Sequence, residues 1–597
     1  MSKQLLMGNE AIALGAIRAG VGLVSGYPGT PSTEILETVA KHNNGNIYVE
    51  WSVNEKCALE VAAGGAYAGL RTLVTMKQVG LNVASDPLMS LNYVGVKGGM
   101  VIIVADDPGP ISSQTEQDTR HFGKFAKLMV FDPSTPEEAY SMMADAFECS
   151  EKYGRLVLFR PTTRVCHSCS SVEVDDAPIV PKNHEGFIKD SRWVIFPRLT
   201  YASHKIIEAD LVKMSAEYSD YSRNTLTGQG TKGIVTGGVS YSYVCEALEN
   251  ISADCKLLKI STYPFPAPLA ERFLEGLDEV LVTEELDPVM ERALFELCGQ
   301  KGISLTIHGK LDGFMPNAGE YTTAIVSHGI CKFLNHPEQA FAEPALPPLP
   351  VRPPTLCAGC PHRASFFAVK EAARKHKAVF SGDIGCYTLG NAPPLDMVDT
   401  CLCMGAGITV AQGLHRAEPD AVNFAFIGDS TFFHSGITGI INAVYNQTDI
   451  VVVILDNSTT AMTGNQPHPG TGTAMMGNIT EKVSIYNIVS ALGVSQIIRA
   501  NPFDLEAAKK AVNAVIDRSG VRVLLFEAPC IAVYKSSSKC EINRDTCTGC
   551  GICVKKLGCP AITMEEGKAV INAALCTGCG ICAQVCPFDA ITGGEAQ

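Results

Sequence analysis

Near its end the chain says one four-cysteine phrase twice. CTGCGICVKKLGCP runs from Cys547 to Pro560, and CTGCGICAQVCP from Cys576 to Pro587. A C-x-x-C-x-x-C loop sets three thiolates around one corner of an iron–sulfur cube, and a fourth must come from elsewhere. In two-cluster folds the cysteine ahead of the proline crosses to the other cluster. On that logic Cys547, Cys550, Cys553 and Cys586 take one [4Fe–4S] cluster, and Cys576, Cys579, Cys582 and Cys559 take a second. The two extra residues ahead of Cys559 lengthen the crossing loop and leave the ligand set intact. Paired zinc knuckles are the rival, but zinc sites draw four thiolates from two C-x-x-C pairs, whereas each phrase here offers three and a Cys-Pro. Such a pair moves electrons one at a time and does not say where they come from.

A source is written upstream. Gly428-Asp429-Ser430 follows an apolar run, and Asp456-Asn457 ends the next one. A carboxylate and an amide oxygen at two adjacent strand ends can hold one Mg²⁺ that also grips a diphosphate. Gly428 would let the backbone approach the phosphates, and the helix that follows can present its N-terminus to them. Alone, this pattern is equally an ordinary strand-end turn.

Elements of several domains must position these residues. At about 150 residues per domain, 597 residues suggest about four. Hydrophobic residues make up 46%, aromatics only 7%, and there are 54 glycines, a mix suited to α/β layers. From 1 to 180, the runs LVTM (73–76), VIIV (101–104) and LVLF (156–159) alternate with helical segments, which reads as a parallel sheet. The stretch 175–230 reads as irregular and polar, with CHSC (166–169) as a loop just before it. GIVTGG (233–238), EVLVTEE (279–285) and LTIHG (305–309) mark a smaller α/β domain over 231–341. The proline-rich 342–354 is an extended linker. Strands at 422–430 and 450–458 with a helix at about 434–446 build a domain over 355–535, with the cysteine domain at 538–597. That tail holds so little apolar bulk that it should fold around something other than an apolar core. Cys401 and Cys403 are expected in a buried segment without a role, and Arg120 in a surface ion pair, with substrate carboxylate as its other reading. A net charge of −14 argues against nucleic acid. No run reaches the roughly 20 apolar residues that cross a bilayer, no secretory signal is visible, and AIALGAIRAGVGLVSG reads as an amphipathic helix entering a Gly turn. An odd 23 cysteines point to metal or redox chemistry in the cytoplasm rather than to disulfides.

Three further stretches add a resemblance. SGYPGTPSTEI (25–35), VNEKCALEVAAGGAYAG (53–69) and TAMTGNQ (460–466) resemble, in that order, three signatures of the thiamine-diphosphate-dependent 2-oxoacid:ferredoxin oxidoreductases. The diphosphate motif of that family is usually Gly-Asp-Gly, so Ser430 is a departure. With the two-cluster tail, the best match is to the arylpyruvate-oxidising branch, over nearly the whole chain. The resemblance implies α/β architecture: two doubly wound parallel-sheet domains that bind thiamine diphosphate between them (pyrimidine domain 1–180, diphosphate and Mg²⁺ domain 355–535), a transketolase-C-terminal-like α/β domain and a ferredoxin-type tail. It implies Glu55 as the glutamate that activates the cofactor, with Glu60 as the alternative, since the distance from Glu55 to the QVG turn at 78–80 fits the family. It carries Mg²⁺ to Asp429, Asn457 and the backbone oxygen of Thr459, the cofactor to Gly428, Ser430 and Gly464 as well, and substrate carboxylate to Thr30, whose other role would be capping the helix near Ser32. It implies a third [4Fe–4S] cluster on Cys357, Cys360, Cys386 and Cys530; buried free thiols and zinc are the rivals. The activity implied is oxidative decarboxylation of indolepyruvate, phenylpyruvate and hydroxyphenylpyruvate to arylacetyl-coenzyme A, with electrons passing from the thiamine enamine through the clusters to ferredoxin. The alternatives are another 2-oxo acid, or decarboxylation without oxidation. A smaller beta subunit, two copies of each, is the implied partner, with no nucleic acid or membrane.

Overall fold

Short Val- and Ile-rich runs bounded by glycine turns become strands buried on both faces, as a parallel sheet covered by helices requires. The computed structural model describes residues 2–175, 184–251, 255–337, 347–477, 480–534, 536 and 538–594, and the chain divides into two units, Met1–Ala345 and Leu346–Gln597.

In the first unit a seven-stranded sheet runs in the order Thr262–Tyr263, Met129–Phe131, Val157–Phe159, Met100–Ala105, Thr72–Lys77, Leu23–Gly26, Tyr48–Trp51. Every pair is parallel except the first. Thr262–Tyr263 comes from the expected second domain, so that stretch lends an edge strand to the first sheet. A five-stranded sheet follows, in the order Thr306–His308, Glu279–Thr283, Lys232–Gly237, Lys256–Ile260, Thr225–Thr227, the last antiparallel.

The sequence misjudged several local features. The helix Gly8–Arg18 is not amphipathic but buried nearly all round, because the helix Pro136–Tyr153 packs on it; a Cβ at Gly15 would strike the Tyr140 carbonyl. The stretch read as irregular contains the 21-residue helix Pro197–Glu217. CHSC is no loop: Cys166 lies in the helix Thr163–His167 and Cys169 opens the strand Cys169–Val174, paired antiparallel with Ser2–Met7. Cys401 and Cys403 are exposed, not buried. Arg120 is no surface residue: it is 3% exposed and locked between Asp118 and Glu284.

In the second unit five parallel strands run Ala378–Ser381, Val422–Gly428, Ile450–Asp456, Val521–Glu527, Gln496–Ala500. Successive side chains point to opposite faces. Phe424, Phe426, Val451 and Val453 pack with the helices Pro361–Ala373 and Leu505–Ile516. Ala425, Ile427, Val452 and Ile454 pack with Ala406–Ala417 and Ile437–Tyr445. Of the expected linker, residues 342–346 lie outside the described residues, and 347–354 are irregular and exposed. The cysteine tail forms two short antiparallel pairs, Cys540–Ile542 with Ile591–Gly593 and Ile562–Glu565 with Lys568–Ile571. It does not stand apart from apolar packing: Leu557, Ile562 and Ile581 join the core of Phe366 and Phe503.

Candidate active site

Parallel register sets two strand ends side by side: Gly428 pairs with Leu455, so Asp429 and Asp456-Asn457 emerge together. Asp429 is 3% exposed. Its Oδ2 accepts from the backbone N–H groups of Asn457 (3.1 Å) and Ser458 (2.8 Å), and its Oδ1 from Ser430 N (2.8 Å). Ser458 takes a left-handed φ of 60°, which turns the chain sharply after Asn457. Asn457 Oδ1 accepts from Thr459 N (3.2 Å), and Ser430 Oγ accepts from Thr460 Oγ1 (3.0 Å). Thr459 Oγ1 is buried without a partner. The space a Cβ on Gly428 would need is occupied by the Tyr387 ring, whose hydroxyl reaches Asp383 (2.9 Å) and Thr431 (3.1 Å). Gly428 is therefore required first by Tyr387. Gly464 takes φ 123°, beside Gln466.

Two histidines that the sequence reading passed over complete the site. His468 Nε2 stands 3.1 Å from Asp429 Oδ2, and His362 Nε2 stands 3.2 Å from Asn457 Nδ2. Burial pulls His362 down to about 4, so it is neutral and its ring nitrogen accepts from the amide. Asp456 is pushed up to about 7, by burial first and then by the Asp429 charge. A buried and a half-buried carboxylate, an amide oxygen and an orphaned hydroxyl make a donor set suited to a hard divalent cation. His362 directly follows the Cys-Pro of LCAGCPH, the signal that could have found it; His468 had none, lying 39 residues from Asp429.

The cysteines gather in three sets. Cys547, Cys550, Cys553 and Cys586 line one small hollow. Cys559, Cys576, Cys579 and Cys582 lie within electrostatic reach of one another. Cys357 is likewise close to Cys360, Cys386 and Cys530. Burial pushes Cys360 up to about 12 and Cys386 and Cys579 up to about 11. Such positions disfavour a bare thiolate and suit sulfurs bound to a cation. Among the described residues no three His, Cys, Asp or Glu side chains converge on a point as one metal ion would need. The last set is tied to the carboxylate site, because Cys530 N–H donates to the Asn457 carbonyl (3.0 Å). It also touches the tail: Gly359, at φ 72°, lies so close to Thr577 that a Cβ there would collide with the hydroxyl. Cys540, which the sequence reading left out, donates its N–H to Cys576 Sγ (3.4 Å); a cysteine seven residues ahead of Cys547 was its signal.

In the first unit Glu55 opens the helix Glu55–Tyr67, is 5% exposed and presses on the QVG turn, where a Cβ on Gly80 would lie 2.5 Å from Glu55 Oε1. Asn54 caps that helix by accepting from Cys57 N (2.9 Å). Glu60 lies on the helix surface, paired with Lys56. Thr30 does not cap the next helix, Thr33–His42, whose N-cap is Ser32; Thr33 Oγ1 accepts from Gly29 N (3.0 Å) instead.

Comparison with known proteins agrees with this layout. Residues 14–191 match the family described as pyruvate flavodoxin/ferredoxin oxidoreductase, thiamine diP-binding. Residues 383–526 match the thiamine pyrophosphate enzyme, C-terminal TPP binding domain, and 569–592 a 4Fe-4S binding domain. Indolepyruvate oxidoreductase subunit IorA of Methanothermobacter thermautotrophicus is 42% identical over 93% of this chain and 91% of its own. Those of Pyrococcus abyssi (40%, 93% and 91%) and Archaeoglobus fulgidus (39%, 93% and 96%) are similar. Two parallel-sheet domains that match thiamine-binding families, a tail that matches an iron–sulfur family and identity near two-fifths along the whole chain lead to one conclusion: the chain belongs to the indolepyruvate oxidoreductase IorA family of thiamine-dependent 2-oxoacid:ferredoxin oxidoreductases.

Proposed function

We propose that this chain is the catalytic alpha subunit of an enzyme that oxidatively decarboxylates aryl pyruvates (indolepyruvate, phenylpyruvate and hydroxyphenylpyruvate) to arylacetyl-coenzyme A and delivers the electrons to ferredoxin. A smaller beta subunit, two copies of each, is the expected partner, as the relatives' names speak of subunits. The setting is cytoplasmic; among the described residues no helix is long and apolar enough to cross a membrane.

The observation that carries the reading is the junction at Asn457. Its backbone N–H donates to Asp429, its side-chain oxygen accepts from Thr459 N, and its carbonyl accepts from Cys530 N–H. A centre for carbon chemistry and a first electron acceptor thus share one residue. Thiamine diphosphate with Mg²⁺, when bound, supplies the electron sink that cleaves a 2-oxo acid. Asp429, Asn457 and the Thr459 carbonyl are the ligands for Mg²⁺, with Gly428, Ser430 and Gly464 along the diphosphate. Neutral His362 accepts from the Asn457 amide nitrogen and so fixes the side chain with its Oδ1 toward Thr459 N, leaving a second lone pair that could serve a metal. Glu55, held against Gly80, is the carboxyl that would hold a proton at the aminopyrimidine of the bound cofactor. Thr30 receives substrate.

Three [4Fe–4S] clusters on the cysteine sets give a route of single-electron steps. Cys357, Cys360, Cys386 and Cys530 adjoin the Asn457 junction. The Gly359–Thr577 contact leads on to Cys559, Cys576, Cys579 and Cys582. Cys547, Cys550, Cys553 and Cys586 come last, with Cys550 exposed toward a protein acceptor.

Anaerobic mixing of the full enzyme with an aryl pyruvate tests this. Bleaching of cluster absorbance, turnover that requires coenzyme A, and about twelve iron atoms per alpha chain, at roughly four per cluster, are expected. Aldehyde release without bleaching would mean decarboxylation without oxidation and would end the proposal; about eight iron atoms would remove the third cluster.

A further inference from the structure

Lys77 ends the strand Thr72–Lys77, next to the strand Leu23–Gly26 that delivers the YPGT turn. Its stem lies across that turn: a Cβ on Gly29 would stand 3.2 Å from Lys77 Cγ, 3.3 Å from Cδ and 3.7 Å from Cε. Gly29 is thus glycine for space. Three residues on from Lys77, Gly80 does the same for Glu55. Lys77 therefore lies against Gly29, which precedes Thr30, and within electrostatic reach of the carboxylate of Glu55.

Lys77 is half-buried, and a lysine drawn partly out of water seldom goes without a fixed partner. Burial pulls Lys77 down, and the charges that pull it back are Glu55 and Asp107. Asp107 is already engaged by Ser112 N (2.8 Å), Ser113 N (2.8 Å) and Thr163 Oγ1 (2.6 Å). Among the described residues no hydrogen bond or ion pair takes the Lys77 ammonium. Of the other cations of this sheet, Arg120 is used up by Asp118, Glu284, Tyr263 and two carbonyls, and Arg71 by Glu151 and the Ala19 carbonyl, while Arg160 is paired with Asp106 and Asp132 through Nε and Nη1 and keeps only a buried Nη2. Arg120, which the sequence offered as a carboxylate partner, has no N–H to spare.

We propose that Lys77 is the cation that receives the carboxylate of the 2-oxo acid, with Thr30 beside it; this rests on the function proposed above. A charged hydrogen bond of this kind, given up against a neutral side chain, costs about tenfold or more in affinity.

The test uses the full enzyme with its partner subunit. Wild type, K77M and K77R are compared at matched iron and thiamine content, with K77Q replacing K77M if K77M does not fold. Expected is a KM for aryl pyruvate raised about tenfold or more in the neutral variant and recovered to within about threefold in K77R. A smaller rise overturns the assignment. Where turnover is too slow for KM, the inhibitor pair arylacetate and arylacetamide decides. Wild type prefers the acid; the neutral variant should lose that preference, and keeping it overturns the proposal. Failure of the wild-type enzyme to reduce its clusters with any 2-oxo acid would instead defeat the proposed function, so the two failures are distinct.

Discussion

Two arginines, one in each unit, are buried almost equally and do opposite things. Arg120 is 3% exposed and Arg363 6%. Arg120 has every N–H matched: Nε to both oxygens of Asp118 (2.9 and 3.1 Å), Nη1 to Tyr263 Oη (3.1 Å) and Glu284 (2.7 Å), and Nη2 to Asp118 (2.6 Å) and the carbonyls of Glu285 (2.9 Å) and Asp287 (3.0 Å). Arg363 finds only carbonyls, at Leu356 (2.5 Å), Leu557 (3.0 Å) and Gly558 (2.7 Å), and its Nε–H has no partner. Among the described residues no carboxylate neutralises it; the ionisable groups that face it are Cys559, Cys360, Cys357 and Cys579. A guanidinium closed among carboxylates is architecture. One left with an unmet charge and an unmet donor, among thiols of two different sets, is suited to the negative charge that thiolate-bound clusters would carry under the function proposed above.

The largest effect tests the first half of that contrast. Arg120 lies in the first domain's helix Arg120–Ala126, while Glu284 follows the strand Glu279–Thr283 of the second, so the ion pair clamps two sheets of one unit. Arg120→Met leaves Asp118 and Glu284 buried without a counter-charge. Removing one partner of such a pair costs about 3–5 kcal/mol. Calorimetry should show the transition of the first unit strongly lowered. A midpoint within a degree or two of wild type would mean that Arg120 is not structural, and the contrast with Arg363 would fall.

Glu285 sharpens the same half. It is 5% exposed, accepts from Tyr321 N (2.8 Å), and is pushed by burial from the ordinary carboxylate value of about 4.5 up to about 7. The folded state thus holds this proton more tightly than the unfolded chain. Between about pH 4.5 and 7 the unfolded state releases it first, so stability falls as pH rises, and above 7 the full penalty is in force. Glu285→Gln keeps the acceptor and removes the charge. It should stabilise by up to about 3 kcal/mol at pH 8 and by clearly less at pH 5.5. Titrations of other groups are common to both proteins and cancel. Equal gains at the two values would show that Glu285 is ionised at both.

Much of the molecule was legible because its signals are local. Apolar runs ending in Asp-bearing turns gave the strands Val422–Gly428 and Ile450–Asp456 almost to the residue. The cysteine-before-proline rule placed Cys586 with the first phrase, where it shares a hollow with Cys547, Cys550 and Cys553. What was missed depends on long-range packing. The partner that buries Arg120 is 164 residues away. The helix Pro197–Glu217 buries only Ile207, Asp210 and Met214, so it shows no apolar stripe to read, although Pro197 at its first turn was a start signal. The tail looked too poor in apolar residues for a core because the core it joins belongs to Phe366 and Phe503.

The smallest effect tests the second half. Arg363 bonds the loop that carries Cys357 and Cys360 to the Leu557 and Gly558 carbonyls just ahead of Cys559, so it has both a positioning and an electrostatic part. Two substitutions separate them. Arg363→Lys keeps the charge and loses the fork; Arg363→Met loses both. A unit charge at the edge of such a site is worth on the order of 2 kcal/mol at an effective dielectric near 20, which is on the order of 90 mV for one electron. Removing it makes an added electron less welcome. An anaerobic redox titration followed by electron paramagnetic resonance should therefore find one cluster lowered by that amount in Arg363→Met and much less in Arg363→Lys, with iron content unchanged. Equal shifts in both variants would point to the lost hydrogen bonds rather than the charge, and no shift in either would mean that the orphaned Nε–H is a packing defect, which would leave the two arginines alike.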